Sequence, residues 1–120
     1  HNAQAAEALA DALRQSPVAG STYAVIGMMQ DKDVAEFIKP LLDLVDAWYA
    51  TGLSVERAFA GDKLADLVQD QVCDKPVHAC TRPADALGRL RGMLQTGDRV
   101  LVCGSFNTVA EWSALKPMLN

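Results

Sequence analysis

The chain predicts an α/β fold: an open, mostly parallel sheet with helices on both faces. Three observations lead there. Helical patterns alternate with short apolar runs from one end to the other. The segments between them are short, so each helix reads as a crossover between neighbouring strands. The apolar runs are continuous rather than alternating, as in strands buried on both faces.

Residues 3–15 place Ala6, Leu9, Ala10 and Leu13 on one helical face, with Glu7, Asp11 and Arg14 opposite. Asn2 stands where an N-cap belongs, and Pro17 and Gly20 lie beyond the end. Residues 23–29, Tyr-Ala-Val-Ile-Gly-Met-Met, form the first strand. Asp31 or Asp33 caps the next helix, whose inner face is Val34, Phe37, Ile38 and Leu41, with Pro40 tolerable only near its end. Residues 45–50, with Trp48 and Tyr49, read as the second strand, and residues 62–71 as the third helix. A short strand follows at 77–80. Pro83, at a first-turn position, opens a helix through Leu94 that turns Leu87, Leu90 and Leu94 to one side. Gly97-Asp98 turns the chain into a strand at 99–103, and residues 106–115 close as a helix. The order is α-β-α-β-α-β-α-β-α, a Rossmann-like open sheet. A strand preceding His1 would complete the alternation. The start on a helix without an initiator methionine leads to the expectation that residues 1–120 are one domain of a longer protein, with its first strand missing.

Composition narrows the function. The 120 residues are 50% apolar and 22% charged, a globular balance. With 11 Lys+Arg against 15 Asp+Glu and no basic cluster, nucleic acid is not an expected partner. The apolar runs are too short to span a membrane, and the first residues lack the pattern of a secretory signal. Cys73, Cys80 and Cys103 are an odd number, which fits reduced thiols in the cytoplasm better than a disulfide framework. Neither their spacing nor the two histidines, His1 and His78, make a metal-ligand pattern. Cys103, in an apolar strand, reads as a core residue, Trp48 and Trp112 as packing, and His78 as a strand-surface residue.

Ligands of an open parallel sheet gather outside the carboxyl ends of its strands. Polar clusters fall at such ends in His1-Asn2, in Gln30-Asp31-Lys32-Asp33 and in Gly104-Ser105-Phe106-Asn107. Each opens a helix, where free N–H groups favour a phosphate or carboxylate. Each also has a plainer reading, since Asp, Asn and Ser before helices act as caps and the 31–33 charges can pair on a solvated turn. The chain contains no Gly-x-x-x-x-Gly-Lys-Ser/Thr loop, no Gly-x-Gly-x-x-Gly fingerprint and no Gly-x-Ser-x-Gly elbow. If it serves ATP chemistry, it supplies half a site.

Three segments carry a resemblance: Gly27-Met28-Met29-Gln30-Asp31-Lys32-Asp33, then Val45-Asp46-Ala47-Trp48-Tyr49, then Val100-Leu101-Val102-Cys103-Gly104-Ser105-Phe106-Asn107-Thr108-Val109-Ala110-Glu111. They resemble the carboxy-terminal domain of the bacterial bifunctional dihydrofolate synthase/folylpolyglutamate synthases, a family of the ATP-dependent Mur ligase superfamily. His1-Asn2 resembles the tail of that family's Asp-x-Ala-His-Asn-Pro motif, with Ala3 in place of the proline. Asn107 stands where relatives often carry histidine, so no proton transfer is assigned to it.

The resemblance implies a Mur-ligase-like glutamate ligase domain closing over an amino-terminal P-loop domain, which holds most of the ATP and Mg2+. The implied reaction activates a carboxylate of dihydropteroate or of a folate as an acyl phosphate, which the amine of L-glutamate attacks. On this reading His1 and Asn2 lie on the ATP side. Ser105 and Lys32 grip the glutamate carboxylates, while Asp31 and Asp33 orient the lysine or cap the helix. The isolated domain is expected to be inactive, and the whole protein a cytoplasmic monomer. The alternative is a non-catalytic α/β ligand-binding or regulatory domain of the same fold.

Overall fold

The computed structural model describes residues 2–115. The elements run α1 (Ala3–Gln15), β1 (Thr22–Gly27), α2 (Val34–Ile38) with a 3-10 turn at Lys39–Leu41, β2 (Ala47–Thr51), α3 (Gly61–Gln69), β3 (Val77–Cys80), α4 (Pro83–Arg91), β4 (Arg99–Gly104) and α5 (Phe106–Leu115). The strands form one four-stranded sheet in the order β3-β2-β1-β4, and every pair is parallel. The expected alternation is therefore the observed one, with the sheet wholly rather than mostly parallel.

The sheet divides two cores. On one face, Ala6, Ala10 and Leu13 of α1, Phe37 and Ile38 of α2 and Leu64 and Val68 of α3 bury Ile26, Trp48 and Leu101. α1 packs closely on α2 and the 3-10 turn. On the other face Ala86 and Leu90 of α4, with Trp112 of α5, cover Val25, Tyr49 and Cys80. Central β1 is sealed on both sides, and Ala24, Val25 and Ile26 have no exposed surface. That is the physical reason its sequence is apolar without alternation.

Several element ends differ from the sequence expectation. β1 stops at Gly27 because the next residues leave the sheet and pair elsewhere. The Met28 carbonyl accepts from Phe59 N at 2.9 Å, Met29 bridges Ala58 antiparallel, and Gln30 N donates to Arg57 O at 2.8 Å. Pro40 confines α2 to one short stretch and moves the chain into the 3-10 turn. Val45 lies before β2, fully buried, with its N–H donating to Leu41 O at 3.2 Å.

Charged side chains finish the helix and loop ends. Arg99 donates to Ser16 O at 2.6 Å and to Thr22 Oγ1 at 2.9 Å, holding the end of α1 over the start of β4. Lys75 donates to the carbonyls of Leu42 and Val45 at 2.6 and 2.8 Å. Asp98 accepts from Ser21 N and Gln95 N, and these backbone donors hold its carboxyl below the ordinary range.

The chain leaves β1 toward the face covered by α2 and leaves β4 toward the face covered by α5, although the two strands are neighbours. The carboxyl ends of β1 and β4 therefore flank a topological switch point, the crevice where open α/β sheets take ligands.

Candidate functional site

The switch point is built on the last pair of the β1–β4 ladder, Gly27 opposite Gly104. Gly104 has φ +101°, and a Cβ there would run into the Gly27 carbonyl oxygen. Glycine is required at this position for both its conformation and its closeness. The same carbonyl accepts from Ser105 N at 2.7 Å and from the Thr108 hydroxyl at 2.8 Å.

Ser105 is 3% exposed and caps α5, its Oγ accepting from Asn107 N at 3.1 Å. The hydroxyl proton has no acceptor among the described residues, so Ser105 keeps one donor in reserve. Asp33 caps α2 by accepting from Glu36 N at 3.1 Å, and Asp31 is exposed beside it. Lys32 is exposed on a turn closed by its own N–H to Met29 O at 3.1 Å. Among the described residues the ion pairs are Arg14–Asp11 and Arg82–Asp85, so neither flanking aspartate neutralises Lys32. The lysine is an uncommitted cation.

Asn2 caps α1, with Oδ1 accepting from Ala5 N at 2.8 Å. It also lines a groove of about 170 Å³ together with Met28, Lys32, Asp33, Glu36 and Phe37. Met28 continues this groove toward β4, where a Cβ on Gly104 would stand 3.1 Å from its Cγ. The fold thus brings Asn2, the 31–33 turn and the Gly104-Ser105 turn to one rim. His1 lies outside the described residues.

A larger cleft, about 630 Å³, opens at the ends of β2 and β3 between Gly52, Gly61, Cys80 and Thr81. Its side walls carry the carboxylates of Glu56 and Asp62, and no lysine or arginine among the described residues lines it. The smaller groove carries the cation of Lys32 beside the carboxylates of Asp33 and Glu36. The described residues include no group of three or more His, Cys, Asp or Glu that could hold a metal ion. No helix among them is long and apolar enough to cross a membrane.

The cysteines are unpaired, and two of the three are buried. Burial pushes the Cys103 thiol up to about 12. Cys80 is raised as well, first by desolvation, against the opposing pull of Arg89. Neither is a thiolate nucleophile near neutral pH. The native protein, treated briefly with an alkylating reagent and mapped by mass spectrometry, should be modified at exposed Cys73 well before Cys80 or Cys103. Equal rates at all three would contradict the buried placement. His78 is a surface residue, with its ring stacked on Tyr49 at 4.8 Å between centroids.

Two polar residues of α5, both within the segment that carries the resemblance, were given no role by sequence reasoning. Thr108 is fully buried and bonded to Gly27, and Glu111 Oε2 accepts from Ser54 N at 3.0 Å, tying α5 to the loop after β2. A signal was present: Thr108 stands three residues past Ser105 in a largely apolar helix. The β2–β3 cleft had no such signal, because it depends on backbone closeness, with Gly52 N donating to Cys80 O at 3.1 Å.

Comparison with known proteins adds the following. A family model described as "Mur ligase, glutamate ligase domain" matches residues 1–106. The dihydrofolate synthase/folylpolyglutamate synthase of Escherichia coli K12 is 36% identical over 110 residues, covering 92% of this chain and 25% of that protein. A solved structure of E. coli FolC in complex with DHPP and ADP superposes with a TM-score of 0.85 at 32% identity, covering 98% of this chain and 27% of that one. Another, a bifunctional folylpolyglutamate synthase/dihydrofolate synthase with Mn, AMPPNP and L-glutamate bound, gives a TM-score of 0.76 at 29% identity, covering 98% of this chain and 27% of that one. The chain spans about a quarter of the length of the relatives it matches.

Proposed function

Since the chain belongs to the Mur ligase glutamate ligase domain family, we propose that it forms the amino-acid-binding wall of an ATP-dependent ligase joining L-glutamate to dihydropteroate or a folate. The observation that carries this reading is the convergence of an unpaired Lys32 and a capping Ser105 on one rim, at the switch point between β1 and β4. The relative with bound L-glutamate supports the choice of amino acid.

In the proposed reaction the acceptor's carboxylate takes the γ-phosphoryl group of ATP, giving an acyl phosphate and ADP. The α-amine of glutamate then attacks the acyl carbon, expelling inorganic phosphate and losing a proton as the amide forms. This chain's part is binding and orientation. Lys32 offers a mobile ammonium to a glutamate carboxylate, and Ser105 offers its spare O–H at the start of α5, where the helix dipole favours an anion. Fixing both ends of the amino acid aims its amine at the acyl carbon, and such orientation carries much of the rate in a two-substrate step. Asn2, the cap of α1, is assigned to the nucleotide side. The P-loop domain that precedes this one holds ATP and magnesium. Phe106, 73% exposed, and Val109, 44% exposed, leave an apolar surface beside the rim that suits closure against that domain. Three free cysteines suit a reducing, cytoplasmic location.

Ser105→Ala in the full-length enzyme tests the assignment. Losing a hydrogen bond to a charged carboxylate costs about 1.5–3 kcal/mol. The KM for glutamate should therefore rise about tenfold to a hundredfold, with the KM for ATP near normal. Loss of the cap will also lower thermal stability, by about 0.5–2 kcal/mol. If stability alone fell and glutamate kinetics stayed at the parental value, Ser105 would be a cap and nothing more.

A further inference from the structure

We propose that Thr108 is a positioning residue: through the Gly27 carbonyl it couples the turn carrying Lys32 to the turn carrying Ser105. The proposal rests on the glutamate-ligase reading and extends it to a residue that touches no substrate. Thr108 has no exposed surface, so its hydroxyl acts only within the fold. That hydroxyl donates to Gly27 O at 2.8 Å, while Thr108 N donates to Ser105 O at 2.9 Å. A single residue is thus bonded to the end of β1 and to the cap of α5.

The Gly27 carbonyl does not need this bond for its own satisfaction. Ser105 N already donates to it at 2.7 Å, so removing the Thr108 hydroxyl leaves no buried acceptor unpaired. A packing requirement alone would be met by valine, which has the same shape and no polar atom to bury. What the hydroxyl adds is a second direction of restraint on one backbone oxygen. Gly27 also lacks the Cβ that would stand 2.8 Å from Thr108 Oγ1, which leaves the hydroxyl its approach.

Restraint at Gly27 reaches Lys32 because the intervening chain is pinned at successive residues. Met28 O accepts from Phe59 N at 2.9 Å, Gln30 N donates to Arg57 O at 2.8 Å, and Lys32 N donates to Met29 O at 3.1 Å. A shift of the β1 end therefore moves the lysine relative to Ser105 instead of being absorbed in a slack loop. Two groups that grip the same small anion tolerate little change in their separation.

The test compares Thr108→Val and Thr108→Ser in the full-length enzyme, by steady-state kinetics and by amide hydrogen exchange. The valine variant should raise the KM for glutamate by about tenfold with the KM for ATP near parental, and the serine variant, which keeps the O–H, should restore parental values. In the valine variant, exchange should quicken both at 105–108 and at 28–32. The proposal is overturned if valine leaves the glutamate KM unchanged, if it raises both KM values alike, or if exchange quickens at 105–108 alone. Absence of glutamate-dependent turnover in the parent enzyme would overturn the ligase reading instead, and the exchange rates would still decide the coupling.

Discussion

Gly104→Ala is expected to prevent the domain from folding stably, the largest effect of any single methyl group added at the rim. Two penalties coincide there. The residue sits at φ +101°, where an L side chain is strained by about 1–3 kcal/mol. The new Cβ would also run into the Gly27 carbonyl, a backbone atom held by two hydrogen bonds. Neither partner can swing aside as a flexible side chain would, so the β1–β4 ladder must open at its end. A loss above about 4 kcal/mol follows, a large share of the roughly 5–15 kcal/mol that holds a domain folded. Gly88→Ala is the control: its Cβ would meet nothing within 4 Å, and alanine within α4 should stabilise by about 0.5–1 kcal/mol. Thermal unfolding followed by circular dichroism separates the two. A Gly104→Ala protein melting at the parental temperature would contradict the geometry of the switch point.

The second large effect is functional. Lys32→Ala in the full-length enzyme should lower kcat/KM for glutamate by well over about tenfold, because the substrate's carboxylate would lose its main counter-charge inside a closed cleft. Stability should hardly change, within about 0.5 kcal/mol, since the side chain is exposed and makes no ion pair among the described residues. Lys32→Arg keeps the charge but replaces a compact ammonium with a longer planar fork. It should recover only part of the activity if the amine of glutamate must be placed closely. If both variants kept near-native glutamate kinetics, Lys32 would be a solvated turn residue and the amino-acid site would lie elsewhere.

The fold was legible because burial on both faces leaves a strand no choice but to be apolar. Ala24-Val25-Ile26 declare β1 without any partner being known. The ends of elements were harder. Met28 and Met29 continue the apolar run of β1, yet they leave the sheet because the loop at 57–59 offers them other hydrogen bonds. No local pattern announces a pairing between segments so far apart. At the rim, the capping roles of Asn2 and Asp33 could be read from their place before helices, and both caps are present. For Lys32 the sequence left two readings open, a carboxylate-gripping cation or a charge paired with Asp31 and Asp33 on a solvated turn. The turn sends Asp33 to the α2 amides and leaves the lysine unpaired. Thr108 was hidden for a different reason. A threonine in a helix has many uses, and only the closeness of Gly27 gives this one its acceptor.

If this domain supplies the glutamate half of a split ligase site, phosphate release from ATP and magnesium with dihydropteroate will depend on L-glutamate. The measurement is made with and without it, for the full-length protein and for residues 1–120 alone. The full-length protein should release phosphate only when glutamate is present, with one glutamate joined per phosphate, and the isolated domain should stay at the blank. Turnover by the isolated domain, or release by the full-length protein that is indifferent to glutamate, would contradict the claim.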